Sequence, residues 1–296
     1  MAKETIAVLL ALGAALFGAV SDVIQQRSAQ RVGDQSSGTA ALFARLLTDR
    51  QWWAGSLSGV VGLGLQAVAL GLGSVLLVES VLVTSLLFAL PLGAWQAGRR
   101  LPRSVWLWAV LLVAAETIII TVGHPTAGQT RASLETWGCV IAVLAPVVFL
   151  CLMGARVFGG RVAAVLLAAV SAIAWGIFAV LAKEVVDLFS DGPRELLAAP
   201  ELYACAALAL AGIVFQQSSF RAGALTASLP TMTVLEPAVA STLGMILLGE
   251  VLKPGRGAVF ILVLAVGTLV AAVLVLSRDQ AAAAPDPAVS GRLPVA

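Results

Sequence analysis

Four acidic residues that lie inside long apolar stretches of the sequence are candidates for chemistry: Asp22, Glu79, Glu116 and Glu236. An ionisable side chain in the middle of a bilayer costs at least about 2.5–3.5 kcal/mol on insertion scales, so it usually pairs with another group or marks a pathway for ions or solutes. A carboxylate in such surroundings can bind a cation or carry a proton. The four acids are therefore the first candidates for a functional site.

Glu236 lies nearest the middle of its apolar stretch and is followed by Pro237. Because proline has no N–H, the carbonyl of Thr233 loses its helical partner, and Pro230 frees a second carbonyl in the same way. The sequence thus predicts a carboxylate beside loosened carbonyl oxygens, which suits a cation or proton site where an interrupted helix lines a cavity. The alternative is a buried, protonated acid that hydrogen-bonds a neighbouring helix.

The other three acids have less specific surroundings. Gly18, Asp22 and Gln25 share one face at helical spacing, and this stripe either lines a pathway or forms a solvated helix end. Glu79 lies close to the start of its stretch, so it either joins the pathway or reaches the membrane surface. Glu116 has nearby threonines but no evident charged partner, and it remains a candidate for the pathway.

Asp22 and Glu236 together offer a hypothesis about cargo. Mg²⁺ prefers oxygen ligands and retains several waters, so one or two carboxylates with carbonyl oxygens are sufficient to bind it. A shared metal site requires the two side chains to approach one another. A metabolite exporter would instead use the same acid for proton coupling and glutamine side chains for recognition.

The composition indicates that these acids lie in a membrane. Apolar residues make up 60% of the 296-residue chain, charged residues make up 11%, and the mean hydropathy is +1.00. Soluble domains contain roughly 25% charged residues. We therefore predict an all-α polytopic membrane protein whose main partner is the lipid bilayer. The net charge of +2 is small and scattered, so we expect no nucleic-acid partner.

Several function classes lack their sequence signals. The chain has one histidine and neither an HExxH nor a GxSxG motif, so we expect no enzyme activity. It also has no nucleotide-binding P-loop, and we expect no cofactor. An intramembrane enzyme and a membrane protein without cargo remain the alternatives to a transporter.

A spanning helix needs about 20 mostly apolar residues. Nine stretches meet this requirement: 5–26, 52–72, 74–97, 104–122, 137–155, 162–186, 202–221, 224–248 and 257–277. Between the first two, segment 38–50 is too short to span and is predicted to be an interfacial amphipathic helix. The Ala/Pro-rich tail at 278–296 is predicted to be disordered and cytoplasmic.

Basic residues beside the apolar stretches predict the orientation. Most of them, including Arg50, Arg103 and Arg221, fall on one side, whereas fewer, including Lys183 and Lys253, fall on the other. Because cytoplasmic loops carry an excess of Lys and Arg, the first side is predicted to be cytoplasmic. The N-terminus is then outside and the C-terminus inside, in the cytoplasmic membrane of the cell.

Residues 79–101 resemble residues 230–252 without gaps. Three matched pairs carry the alignment: Gly93 with Gly244, Gly98 with Gly249, and Leu101 with Leu252. The same register places Gln66 on Gln217, and further upstream Phe17–Gly18 matches Trp175–Gly176. The two glutamines either hydrogen-bond a substrate beside a central cavity or join neighbouring helices.

The repeat predicts two four-helix halves, at 1–126 and 162–277, with a linker helix within 127–161. The halves begin five spans apart, so they must be inserted in opposite orientations. Inverted repeats are typical of secondary transporters, in which one half rocks against the other around a central site.

The aromatic–Gly first helix of each half and the LLGEVL sequence at Leu247–Leu252 resemble the drug/metabolite transporter superfamily with its EamA-type repeats. The WWAG sequence at Trp52–Gly55 is more similar to the NIPA-like magnesium-transporter branch. The resemblance implies a secondary transporter that moves a small solute or cation, and it leaves open whether the protein is a homodimer. The first half reads AGRRL where the second reads LGEVL, so a role of the family's glutamate is implied for Glu250 alone.

Overall fold

The structure is a computed structural model, and it describes residues 2–33, 47–96, 100–189, 192–222, 225–255 and 257–283. Within these ranges, nine helical segments are long and apolar enough to cross a membrane, and each lies where the sequence predicts one. The prediction of an all-α protein with nine membrane-spanning segments is therefore confirmed at the level of length and composition. Most of the predicted interfacial segment 38–50 lies outside the described residues.

The helices and strands are numbered here in chain order. The helices are α1 (Ala2–Gly33), α2 (Arg50–Leu72), α3 (Val75–Leu82), α4 (Ser85–Gln96), α5 (Arg103–Gly123), α6 (Leu134–Val157), α7 (Gly160–Leu188), α8 (Pro193–Ala198), α9 (Pro200–Ala222), α10 (Leu225–Leu248) and α11 (Val259–Ala283). Two short strands, β1 (Pro125–Thr126) and β2 (Val251–Leu252), pair antiparallel. This pairing ties the end of α5 to the end of α10.

The third apolar segment is interrupted, whereas the sequence predicts one continuous helix there. It divides into α3 and α4 at Val83 and Thr84. At this point the backbone forms tight turns, with the N–H of Thr84 donating to the carbonyl of Val81 at 3.0 Å. The hydroxyl of Thr84 donates to the same carbonyl at 2.6 Å. A side chain that competes for backbone carbonyls weakens a helix locally, which explains the break.

The interruption predicted near Glu236 is absent from α10, which stays helical from Leu225 to Leu248 with Pro230 and Pro237 inside it. The prediction of a broken helix at this acid was wrong. Packing against α7 and α11 holds α10 in helical form despite the two missing N–H groups. The helix break that borders the site lies in the third segment instead.

The last helix is longer than its apolar stretch. The sequence predicts disorder from residue 278, but α11 continues to Ala283. Leu276 and Ser277 are fully buried at this end, so the helix is still packed where its apolar pattern stops. The following residues, Arg, Gln and Ala among them, are good helix formers and extend it.

Helix α7 lies at the centre of the bundle, packed against α2, α6, α9 and α10. Small side chains allow this close packing: a methyl group added to Gly176 would lie 2.7 Å from Val239 of α10. By contrast, α6 is peripheral, and only 6% of its apolar window is buried inside the protein. The rest of α6 is available to lipid.

Helices α1 and α2 approach each other at backbone distance. A methyl group added to Gly59 would lie 2.8 Å from the hydroxyl of Ser21, and one added to Gly62 would lie 3.3 Å from the carbonyl of Ala14. Glycines of α2 therefore make room for α1. This contact brings the polar stripe of α1 next to the polar residues of α2.

Candidate functional site

A cavity of about 330 Å³ lies between α1, α2, α3, α9 and α10, with α7 at its inner end. Its lining includes ten polar residues from the apolar segments. These are Ser21, Asp22, Gln25, Ser56, Gln66, Glu79, Ser85, Gln216, Thr233 and Glu236. The remaining lining is apolar or aromatic.

The cavity extends from the middle of the bundle toward one end only. It follows α2 from Trp52 to Gln66, and it follows α10 from Leu229 to Pro237. These are N-terminal parts of both helices. Helix α1 contributes residues 14–25, the second half of its apolar span Lys3–Gln25, and α9 contributes Ile213 and Gln216 from its C-terminal half. All four parts lie toward the end of the bundle that the charge pattern predicts to be cytoplasmic.

Glu79 lies at the inner part of the cavity and is paired with a glutamine. Only 2% of Glu79 is exposed. Its Oε1 accepts a hydrogen bond from Nε2 of Gln66 at 3.1 Å. The alternative that Glu79 reaches the membrane surface is therefore excluded by the structure, and the residue faces the cavity instead.

Asp22 faces the cavity from α1, opposite two adjacent glutamines of α9. Nε2 of Gln216 lies 3.5 Å from Oδ1 of Asp22, which is a long hydrogen bond. Nε2 of Gln217 donates to Oε1 of Gln25 at 2.8 Å. Two amide contacts thus join the first half of the chain to the second along one side of the cavity.

Glu236 has a different environment from the other two cavity acids. Among the described residues, no hydrogen bond reaches its carboxyl group, although it lines the same cavity. Glu79 and Asp22 line the same cavity, and no described basic group faces Glu236 there. An ionised Glu236 therefore lacks compensation from the described protein groups, which makes it the acid with the greatest need for an external partner.

Trp175 supplies an aromatic surface at the inner end of the cavity. Its ring is held by two neighbours: Phe178 packs edge-on at 5.3 Å between ring centroids, and Gly212 lies against the indole. A methyl group added to Gly212 would lie 2.7 Å from this ring. The glycine is therefore required for the position of the indole.

A buried ion pair lies at the opposite end of the bundle, beyond the cavity. Nζ of Lys183 lies 2.7 Å from Oε1 of Glu250. Glu250 also accepts the backbone N–H groups of Val75 and Leu76 at 2.8 and 3.0 Å. Lys183 donates in addition to the carbonyl of Gly73 at 3.0 Å.

This ion pair joins three elements: α7, the end of α10, and the turn between α2 and α3. The carboxylate caps the first N–H groups of α3, where the helix dipole favours a negative charge. Lys183 was counted from sequence as a basic residue beside a segment, but it is buried inside α7 and neutralised by Glu250. The remaining basic residues still favour the same orientation.

The structure brings together six of the eight residues predicted for the pathway. The residues that line the cavity are Asp22, Gln25, Gln66, Glu79, Thr233 and Glu236. Gln217 lies directly behind it, fully buried, and holds Gln25. Asp22 and Glu236, which were proposed to share a Mg²⁺ ion, line the same cavity. Among the described residues, no group of three or more His, Cys, Asp or Glu side chains could hold a metal ion.

Glu116 does not line the cavity. It is 5% exposed on α5 and lies beside Ser80 of α3. The structure therefore separates this acid from the other three. The geometry therefore gives Glu116 no role in the cavity site.

The chain is 39% identical over 261 residues to an uncharacterized protein of Corynebacterium glutamicum, and the match covers 84% of this chain and 87% of that protein. The chain belongs to the same family as that protein. No protein-family model matches the chain. No solved structure matches it.

In this member of the family, three residues of the site or its surroundings are not evident from sequence alone. Gln216 faces Asp22, and Trp175 provides the aromatic surface. Gln216 could have been found from its place beside Gln217, because successive helix residues point in different directions and one of the two must lie on another face. Lys183 could have been found as a basic residue within an apolar run, since such a residue requires an acidic partner.

Proposed function

We propose that the chain is a secondary transporter that moves a small solute or cation across the cell membrane by alternating access. The observation that carries this proposal is the cavity, in which acids and amides from five helices converge halfway through the bundle. Ionisable groups at this depth are costly, and they usually pair with one another or line a pathway. The N-terminus lies outside the cell and the C-terminus inside.

The position of the cavity supports an inward-facing state. Its lining continues to Trp52 and Gln25, near the cytoplasmic ends of their helices. Toward the outer side, the Lys183–Glu250 pair closes α7 and α10 against the α2–α3 turn. An outward-facing state then requires these contacts to separate while the cytoplasmic side closes.

The packing of the helices fits two inverted halves. Helix α1 packs along α2, and α7 packs along α9. These are equivalent pairs when segments one to four are matched with segments six to nine. The resemblance to the drug/metabolite transporter superfamily supports the same proposal, because its members are secondary transporters.

The test is flux into proteoliposomes that contain the purified protein. Three cargo classes are compared: Mg²⁺ with a trapped indicator, radiolabelled choline as a quaternary ammonium, and radiolabelled alanine as a zwitterion. Saturable flux of any of them, abolished in Glu236→Gln and retained in Glu116→Gln, is the expected result. The second variant is a matched control, because it changes a buried acid that lies away from the cavity.

The proposal fails if a folded, reconstituted protein gives no saturable flux of any cargo class. It also fails if Glu116→Gln and Glu236→Gln reduce flux equally, since the loss would then reflect the removal of any buried acid. Thermal unfolding of both variants in detergent establishes that they are folded.

A further inference from the structure

We propose that the cargo is a small organic cation, with an ammonium-type head and an apolar body. This inference rests on the proposed function, because it takes the cavity to be the cargo site. It goes further by naming the chemical class that the described lining would recognise. Charge, hydrogen bonding and shape each contribute to it.

The charge of the described lining has one sign. Asp22, Glu79 and Glu236 face the cavity, whereas none of the described lining residues is Lys, Arg or His. Lys183, the buried cation of α7, lies beyond the cavity and is already neutralised by Glu250 at 2.7 Å. A cation entering the cavity is therefore attracted, and an anion is repelled.

The hydrogen bonds divide the three acids into two kinds. Glu79 accepts an amide hydrogen from Gln66, and Asp22 faces the amide of Gln216. Glu236 has no such partner among the described residues, although it borders the same space. We therefore assign the head group to Glu236, where it would form the missing charge-assisted contact.

The shape and lining of the cavity suit a cation with an apolar part. Leu82, Val83, Leu229 and Met232 line it, together with the indole of Trp175. An indole face attracts a desolvated cation and is a favoured surface for quaternary ammonium groups. A volume of about 330 Å³ lies at the lower end of the range for sites that hold small molecules.

These features distinguish an organic cation from a hydrated divalent ion. Mg²⁺ keeps its waters and takes oxygen ligands, so leucine, methionine and indole side chains contribute nothing to its binding. For an organic cation the same side chains bury apolar surface, at roughly 25 cal/mol per Å². The apolar lining is thus explained by one cargo class and not by the other.

The experiment measures binding by calorimetry to the full chain in detergent. The probes are choline, tetraethylammonium and 3,3-dimethyl-1-butanol, which has the shape of choline but carbon in place of the charged nitrogen. We expect at least one of the two ammonium ions to bind, and the alcohol to bind at least about tenfold more weakly than choline, which corresponds to about 1.4 kcal/mol. The substitution Glu236→Gln should weaken ammonium binding by a similar factor, Trp175→Leu should weaken it severalfold, and Glu116→Gln should leave it unchanged.

Equal binding of choline and the alcohol would overturn the inference, because charge would then not be recognised. So would saturable flux of Mg²⁺ or alanine by a protein that binds neither ammonium ion, and in that case the transporter proposal would stand. If an ammonium ion binds as expected but no cargo class crosses the membrane, the transporter proposal fails and the site assignment survives. Melting curves that match wild type show that weaker binding in a variant is not unfolding.

Discussion

At the scale of single residues, the cavity acids differ in how the protein stabilises them. Glu79 is buried and depends on one amide contact from Gln66, whereas Glu236 has no hydrogen bond from the described residues. The first arrangement holds a carboxyl group in a fixed place. The second leaves the carboxyl group of Glu236 available to bind a ligand that enters the cavity.

The contact between Gln66 and Glu79 can be tested by a double-mutant cycle. We expect Gln66→Leu to destabilise the protein by about 1–3 kcal/mol, because it leaves a buried polar group without its partner. The double variant Gln66→Leu/Glu79→Leu should recover much of that loss, since no orphaned acid remains. The measurement is thermal or denaturant unfolding in detergent, and additive losses would contradict a direct interaction.

Sequence reasoning finds residues of this kind when their type conflicts with their surroundings. Asp22, Glu79 and Glu236 were found because acids are rare in apolar runs. The same rule selected Glu116, which the structure places away from the cavity, because hydropathy does not tell which face of a helix a residue occupies. Trp175 was not predicted as a lining residue, because an aromatic side chain is common in an apolar segment and does not mark a cavity.

At the scale of helices, the ion pair between Lys183 and Glu250 connects α7 and the end of α10 to the start of α3. A carboxylate at a helix N-terminus holds its position through the N–H groups that it accepts. The ammonium group of Lys183 adds a charge interaction to these hydrogen bonds of Glu250. The three elements can therefore separate only if both charges find other partners.

We predict that Lys183→Met lowers stability by about 3–5 kcal/mol, because removing one partner leaves a buried uncompensated charge. In a protein whose single cysteine is Ser56→Cys, the same variant should let a membrane-impermeant thiol reagent reach the cavity from the outer side. Lys183→Met/Glu250→Leu, which removes both charges, is the control and should regain part of the stability. If Lys183→Met is as stable as wild type, the ion pair does not hold α7, the end of α10 and the α2–α3 turn together.

Hydropathy predicted where all nine segments lie, because a bilayer demands length and apolarity from every spanning helix. It could not predict the break at Val83 and Thr84, where a threonine hydroxyl competes for a backbone carbonyl in an otherwise apolar run. Nor could it predict that α10 stays helical past Pro230 and Pro237, since neighbouring helices determine that outcome. Hydropathy therefore locates the spanning segments, but side-chain hydrogen bonds and packing between helices determine whether a segment is one continuous helix.

At the scale of the whole molecule, the cavity faces one side of the bundle. Ser56 of α2 lies in its lining near the predicted cytoplasmic end, whereas Arg131 is exposed in the loop before α6 on the other side. In the proposed topology, the two positions therefore report on opposite faces of the membrane. Cysteine substitutions at each can be compared directly.

We predict that Ser56→Cys reacts with a membrane-impermeant thiol reagent supplied from the cytoplasmic side, and Arg131→Cys with the reagent supplied from outside. The natural cysteines, Cys139, Cys151 and Cys205, are unpaired and must first be replaced. Sealed vesicles of known orientation give the readout. Reaction of both positions from the same side would contradict the proposed topology, and cargo-dependent protection of Ser56→Cys would place the cargo in the cavity.

The single sign of charge among the described lining residues also gives the proposed transport cycle an electrical character. Each carboxylate that crosses the membrane field in ionised form exchanges about 2.3 kcal/mol with the field per 100 mV. With the cell interior negative, the voltage drives an empty, anionic cavity outward, whereas a cavity neutralised by bound cations is indifferent to it. A clamped membrane containing the protein should therefore carry a current during turnover, and the voltage dependence should change when Asp22, Glu79 or Glu236 is replaced by its amide.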